Sequence, residues 1–466
     1  MMLPALRNPG SYRDQRGYVF HQGDVILRSV SHSAKLDYEY LRDRNIILES
    51  INEGFLIETE EVVDHSTIDV LSDAAYVLRH KKIPFISYPY EWSFGQLKSA
   101  ALHHLRFQLF LLDRDVILRD ASAYNIQFIG ATPIFIDLLS LAPYKEGDYW
   151  IGHRQFCEQF LNPLLLRSTK GLSHNHWYRG SLEGIPTAAL ARLLTFSEKL
   201  TWNNFSQVSL QAWLETKAIN NPTRETERAK TRRPLSKTAY RAFLGQFFRW
   251  ILKLKPKGNV NTVWGNYTNE SIYLREEESA KRNLVLEAVT SNRPKQVIDL
   301  GCNVGNYSIA ALEAGASYVV GLDSDISAIE HAFDLSRKKK LQFLPLYVDA
   351  ANPSPALGWM QSERQGIAGR CKGDMVIALA FIHHLVVSHN IPLDQVLRWI
   401  TDMAPSGLIE FVPKNDAMVT KLLELRDDEF PDYTQDNFTN SLSVHARIIR
   451  RTQLFPSGRI VYEYSR

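Results

Sequence analysis

From about residue 271 to the end, short apolar runs alternate with stretches whose apolar residues recur every three to four positions. The runs 296–300 (QVIDL), 318–322 (YVVGL), 343–348 (FLPLYV), 374–380 (DMVIALA) and 408–413 (LIEFVP) have the length and apolar content of buried strands, and helix-length segments separate them. That alternation predicts a doubly wound parallel sheet. The last 21 residues break the rhythm: 446–454 and 459–466 flank the turn Pro456-Ser457-Gly458, the form of an antiparallel hairpin added to the sheet. The expected fold of 271–466 is α/β, a Rossmann-like seven-stranded doubly wound sheet with an antiparallel terminal hairpin.

Upstream the pattern changes twice. Residues 216–270 begin with a polar run (TKAINNPTRETERAKTRRPLSK) that reads as a boundary. Within 238–255, Tyr240, Phe243, Leu244, Phe247, Phe248, Ile251 and Leu252 fall at helical spacing, with Lys and Arg on much of the remaining face. The favoured reading is an amphipathic connecting helix whose aromatic stripe packs on one domain. Peripheral contact with an anionic membrane, or a grip on a phosphate-rich partner, ranks behind it. Residues 1–215 then form a separate α+β domain.

A chain of 466 residues accommodates two such domains. Hydrophobic residues at 45% and charged residues at 23% support packed cores, and a formal charge of +3 gives no chain-wide argument for nucleic acid. Three scattered cysteines, Cys157, Cys302 and Cys371, have no metal-ligand spacing and suit reduced thiols, and the first residues lack the apolar core of a secretion signal. With no apolar run long enough for a membrane span, the expected setting is the cytoplasm.

The strongest motif is 297–308 (VIDLGCNVGNYS), a buried strand running into a glycine-bearing turn and then a helix that starts near Asn306 and stops at Gly315. Gly301 and Gly305 let the backbone approach a ligand at the carboxyl end of the first strand. A dinucleotide site needs its glycines at other spacing, and Asp299 beside the turn would repel pyrophosphate. The same carboxylate suits a ligand with an ammonium group and a sulfonium, as in S-adenosylmethionine (SAM). Asp323 ends the second strand, where a carboxylate accepts hydrogen bonds from both ribose hydroxyls. Asp349, after the third, is placed for the adenine amino group. Asn303, Ala350 and Leu379 complete the expected cofactor contacts.

Residues 271–466 resemble the class I SAM-dependent methyltransferases, whose first motif is an acid, a spacer and Gly-x-x-x-Gly; Asp299, Gly301 and Gly305 match it, and Asn303 stands where glycine is frequent. Methyl transfer from a sulfonium needs mainly positioning and, for a weak nucleophile, removal of a proton. His383 and His384, after the fourth strand, are the candidate general bases, with helix capping or pocket lining as the plainer alternative. Glu410 and Lys414 follow the fifth strand, where they either shape the acceptor site or pair on the surface. The stretch lacks an Asn-Pro-Pro-Tyr type of motif, so no DNA acceptor is expected, and no metal constellation is evident in this domain.

The N-terminal half carries a second signal in 113–125 (DRDVILRDASAYN) and 133–138 (PIFIDL). It resembles the catalytic region of protein kinase-like and antibiotic phosphotransferase-like folds, in which an Asp, four residues and an Asn are followed by a magnesium-holding Asp. Asp120, Asn125 and Asp137 match those places, and the resemblance implies ATP and magnesium there. Departures are a missing glycine-rich loop, no clear strand lysine with a helix glutamate, Arg119 in place of His or Gly, and Leu138 after the last Asp. Three readings stay open for the segment: an ordinary hairpin with acidic turns, a kinase-like domain with lost or changed activity, and an active kinase. Both halves together, with 88–93 (YPYEWS) and 120–125 (DASAYN), resemble bacterial nodulation-type methyltransferases. That resemblance implies methyl transfer to oxygen or nitrogen of a small-molecule or glycan-like acceptor. The alternatives are a bifunctional protein that also transfers phosphoryl groups and a non-catalytic SAM-binding interaction protein.

Overall fold

The computed structural model describes residues 4–63, 71, 73–199, 235–258, 272–424 and 430–466. Most of the polar run 216–237 lies outside them. The chain divides into two compact units: Met1–Phe128 with Pro133–Asn259 and Gly358–Arg364, and Ile129–Thr132 with Val260–Leu357 and Gln365–Arg466.

The first unit holds a five-stranded antiparallel sheet of β1 (Leu6–Arg7), β2 (Val19–Gln22), β3 (Val25–Val30), β4 (Thr59–Glu61) and β5 (Tyr76–His80), in the order β1-β2-β3-β5-β4. Helices α1 (Lys35–Asp43) and α2 (Ile46–Asn52) lie between β3 and β4 in the chain. Helix α3 (Phe94–Leu112) follows, its start set by a capping box between Ser93 and Gln96. Leu97, Ala100, Ala101, His104, Leu105, Phe107, Gln108 and Leu111 are buried, so α3 is apolar around most of its circumference and serves as a core helix. After it come the two-stranded ladders β6 (Val116–Leu118) with β9 (Leu141–Pro143) and β7 (Ile126–Ile129) with β8 (Thr132–Phe135).

Helix α4 (Lys237–Lys253) packs on α3. Tyr240, Leu244, Phe247 and Ile251 are buried, and the Gln108 amide donates to the Tyr240 hydroxyl at 3.1 Å. Lys98 Nζ donates to the carbonyls of Leu252 and Leu254, which the end of α4 leaves without intrahelical partners. Most of the stripe is thus spent on the protein's own core, as the connecting-helix reading expects, while Phe243 and Phe248 stay half-buried and Leu252 is exposed.

The second unit is built on a seven-stranded sheet of β10 (Gln296–Leu300), β11 (Tyr318–Asp323), β12 (Phe343–Tyr347), β13 (Met375–Ala378), β14 (Ser406–Phe411), β15 (Arg447–Gln453) and β16 (Ile460–Ser465). Its order is β12-β11-β10-β13-β14-β16-β15. The first five strands are parallel, and the terminal hairpin joins antiparallel through β16 against β14. All seven coincide within a few residues with the apolar runs of the sequence. Helices α5 (Ile272–Asn292), α6 (Asn306–Glu313), α7 (Ile326–Lys339), α8 (Leu393–Thr401), α9 (Ala417–Leu423) and α10 (Gln435–His445) accompany the sheet. Leu284, Val285 and Val289 of α5, Ala310 and Ala311 of α6, and Ile329 of α7 join strand residues Val297, Val319, Phe343, Met375 and Ile377 in one core. The sheet order reverses beside β10, so the loops after β10 and β13 leave neighbouring strands in opposite directions, the place where open α/β sheets bind ligands.

Candidate functional site

The turn after β10 packs three left-handed residues into five: Gly301 (φ +70°), Asn303 (+49°) and Gly305 (+92°). Asparagine is among the few non-glycine residues that take this conformation readily. A Cβ on Gly305 would lie 2.5 Å from the Phe343 ring, and one on Gly301 would lie 2.9 Å from Phe381. Both glycines are therefore demanded by the turn's own backbone and packing, in addition to any approach by a ligand. The turn is hooked to the neighbouring strand, because the amides of Gly301 and Cys302 donate to the Leu322 carbonyl.

Asp323 closes β11 directly beside it. One carboxylate oxygen accepts from the Asn303 amide at 2.8 Å and the other from the Asp325 amide at 2.7 Å. Burial pushes the Asp323 pKa up, and these amide bonds work against that shift. Asp349 follows β12, half-buried, and its carboxylate accepts from the Ala351 amide at 2.9 Å. Ala350 beside it is half-buried, and Leu379, after β13, is buried.

Asp299 has a different setting from its two partners. Its side chain is only 1% exposed and accepts a 2.6 Å hydrogen bond from the Ser308 hydroxyl, tying β10 to the first turn of α6. Burial pushes its pKa up to about 7. Three acids thus stand at the ends of three adjacent strands, one sealed and two half-buried. The half-buried carboxylates retain lone pairs for hydroxyl and amino donors, and no lysine or arginine is bonded to them among the described contacts, so the donor set fits the ribose and adenine of SAM.

Beyond β13, His383 is 1% exposed, and both of its ring nitrogens lack a hydrogen-bond partner among the described residues. Its pKa is lowered to about 2, first by burial and then by the charges of His384, Arg459 and Lys281, so the ring is neutral. The half-buried His384 ring lies 4.1 Å away, with its pKa lowered to about 4, again chiefly by burial. Glu410 on β14 is wholly buried, which sets aside surface pairing, and bonds Lys281 of α5 at 2.6 Å; Lys414 is half-buried. Arg459 lies 3.6 Å from Glu410 and makes a two-pronged pair with Asp416 at 2.7 and 3.0 Å. Lys281 and Arg459 were not evident as site residues from the sequence, since nothing near either marks it as buried.

In the first unit, Asp120, Asn125 and Asp137 do come together. The Asn125 amide donates to Asp137 at 3.4 Å, and Asp120 has its pKa raised to about 6 by burial and the nearby Asp137. Arg28 of β3, buried, pairs with Asp137 at 2.7 Å and with Asp14. A divalent cation at Asp137 would face that guanidinium, so the cluster as arranged does not fit magnesium. Among the described residues no group of three or more His, Cys, Asp or Glu is placed to hold a metal ion.

The reversed sheet order, the left-handed glycine turn and the acid closing β11 define the second unit as a class I SAM-dependent methyltransferase domain. The ribosomal protein L11 methyltransferase (PrmA) family matches residues 283–348. Over 460 residues the chain is 43% identical to nodulation protein NoeA of Rhizobium meliloti (strain 1021), covering 99% of this chain and 96% of that protein. It belongs to the family of that nodulation protein. A ribosomal protein L11 methyltransferase of Photorhabdus laumondii is 41% identical over 61 residues, 13% of this chain and 21% of that protein. Among solved structures, the PH0226 protein of Pyrococcus horikoshii OT3 is 17% identical, covering 44% of this chain and 96% of its own, with a TM-score of 0.32.

Proposed function

We propose that the protein transfers a methyl group from SAM to an oxygen or nitrogen of a small, glycan-like acceptor. The observation that carries this reading is a glycine turn bonded to the half-buried Asp323, together with a buried imidazole, His383, whose ring nitrogens have no hydrogen-bond partner among the described residues. A buried polar group left unbonded costs free energy, and a ligand that supplies the missing bond recovers it.

In this reading Asp323 holds the ribose hydroxyls and Asp349 the adenine amino group, with Asn303, Ala350 and Leu379 lining the same cleft. SAM, when bound, supplies a methyl group already activated by its sulfonium. His383, neutral across the physiological range, keeps a ring nitrogen free to accept the hydrogen of an acceptor O–H or N–H and to orient its lone pair. His384 is the second candidate for that role. The sealed Asp299 supports the turn through Ser308 rather than meeting the cofactor first. Reduced, buried cysteines agree with a cytoplasmic setting. The relative's name places that protein in nodulation, and a glycan-like acceptor is our reading of what this chain modifies. We assign the first unit acceptor recognition and no phosphoryl transfer, because the Arg28 guanidinium sits on the Asp137 carboxylate where a cation would have to bind.

Calorimetric titration with S-adenosylhomocysteine tests the cofactor site. Losing hydrogen bonds to a charged group worth ~1.5–3 kcal/mol, Asp323→Ala should bind roughly 10- to 100-fold more weakly. Equal affinity in both proteins would remove Asp323 from the site. His383→Phe should keep cofactor affinity and lose turnover in an extract supplied with deuterated-methyl SAM, in which the labelled product identifies the acceptor.

A further inference from the structure

Strand β13 ends at Ala378, and two residues later Ala380 adopts φ +50°, a left-handed conformation that costs any residue with a Cβ. No glycine relieves it. The next side chain, Phe381, lies over Gly301 so closely that a Cβ there would be 2.9 Å from the ring, and His383 follows two residues on. The strained residue therefore directs one side chain onto the cofactor turn and another to the acceptor side.

A single carboxylate holds that turn. Glu410 accepts the Ala380 amide at 2.5 Å through one oxygen, while the other faces Lys281 at 2.6 Å and Arg459 at 3.6 Å. Lys281 comes from α5, and Arg459 from the segment leading into β16. Glu277, one turn before Lys281, accepts the Ser457 amide at 2.8 Å, and Arg459 pairs in turn with Asp416, which caps α9. Glu410 is thus the buried point where the first helix, the fourth and fifth strands and the terminal hairpin meet. A carboxylate so placed keeps its position because two cations compensate its burial.

We infer that Glu410 is a positioning residue that couples the acceptor side to the cofactor turn, holding Ala380 in its left-handed conformation so that Phe381 seats on Gly301. The inference rests on the SAM reading of that turn. It also gives the terminal hairpin a task, since Arg459 and Ser457 reach the centre of the unit from a segment with no cofactor residue of its own.

Hydrogen exchange and titration with S-adenosylhomocysteine on the full chain test it. In Glu410→Ala the amides of residues 380–383 should exchange about tenfold faster or more, and affinity should fall about tenfold. Adding Ala380→Gly should restore most of the affinity and of the exchange at 381–383, because glycine takes φ +50° without a Cβ, while the amide of residue 380 stays without its acceptor. Glu410→Gln keeps an acceptor oxygen for the Ala380 amide and should hold exchange at 380–383 close to wild type, although thermal stability drops. Should Glu410→Ala not fold, Ala380→Val loads the same turn with the carboxylate intact and should show the same two changes. Unchanged exchange at 380–383 overturns the clamp, as does uniform acceleration across the whole sheet that Ala380→Gly does not correct. Accelerated exchange with undiminished affinity overturns the coupling to the turn. Failure of the wild type to bind is a failure of the cofactor reading instead, and the exchange result still decides the clamp.

Discussion

Replacing Asp299 by Asn should make the protein more stable at pH 8 and leave it nearly unchanged at pH 4. The Asp299 carboxyl is sealed between β10 and α6, and its pKa stands at about 7 against an ordinary 3.8. The folded protein therefore holds this proton up to about pH 7, while the unfolded chain releases it near 3.8. Between those values the unfolded state binds fewer protons, so stability falls as pH rises, by ~1.4 kcal/mol per pH unit for this one group. Carried across the interval, the loss approaches roughly 4 kcal/mol and then levels off above pH 7. Asparagine presents the same oxygen to the Ser308 hydroxyl and has no proton to lose. Denaturant unfolding of wild type and Asp299→Asn at pH 4, 5, 6, 7 and 8 measures the difference directly, and other titrating groups largely cancel in the comparison. The gap should widen between pH 4 and 7 and then stay flat. A gap that is constant over that range would show that Asp299 ionises normally in the folded protein, and the claim that it is sealed would be wrong.

Two further substitutions probe the same physics elsewhere. Gly305→Ala forces a Cβ into a left-handed residue and against Phe343 at 2.5 Å, for about 2–5 kcal/mol of destabilisation in thermal unfolding; the pair Gly305→Ala/Phe343→Leu should recover only the steric part. An unaltered melting curve would mean that the turn has another shape. Gln108→Leu removes the acceptor for the Leu118 amide and the donor to the Tyr240 hydroxyl, at about 1–3 kcal/mol for each group left unbonded. Its effect should be confined to the first unit, with S-adenosylhomocysteine affinity preserved, and a loss of affinity would contradict the separate role given to that unit.

How much of this was legible beforehand depended on the distance along the chain over which the decisive contact acts. Strands β10 to β14 could be read because burial on both faces selects continuous apolar runs, and the hairpin of β15 and β16 because its turn residues are adjacent. The turn at 301–305 was equally legible, since left-handed backbone is a local demand that glycine and asparagine answer. Asp323 and Asp349 followed from their place after a strand. The helix at 237–253 showed its apolar stripe, but only folding put that stripe against α3.

What the sequence by itself determined is the α/β framework, the glycine turn and the acids that end the first three strands, because each is a pattern within a few residues. Tertiary structure alone decided what those charges do. Asp299 became a buried support because Ser308 and the surrounding core enclose it. Glu410 became a buried clamp because Lys281, 129 positions before it, and Arg459, 49 positions after it, converge there. Arg28 reached Asp137 across more than 100 residues and put a guanidinium inside an acidic cluster. The state of a carboxylate is set by burial and by the nearest opposite charge, and both are properties of three-dimensional neighbours that local sequence does not encode.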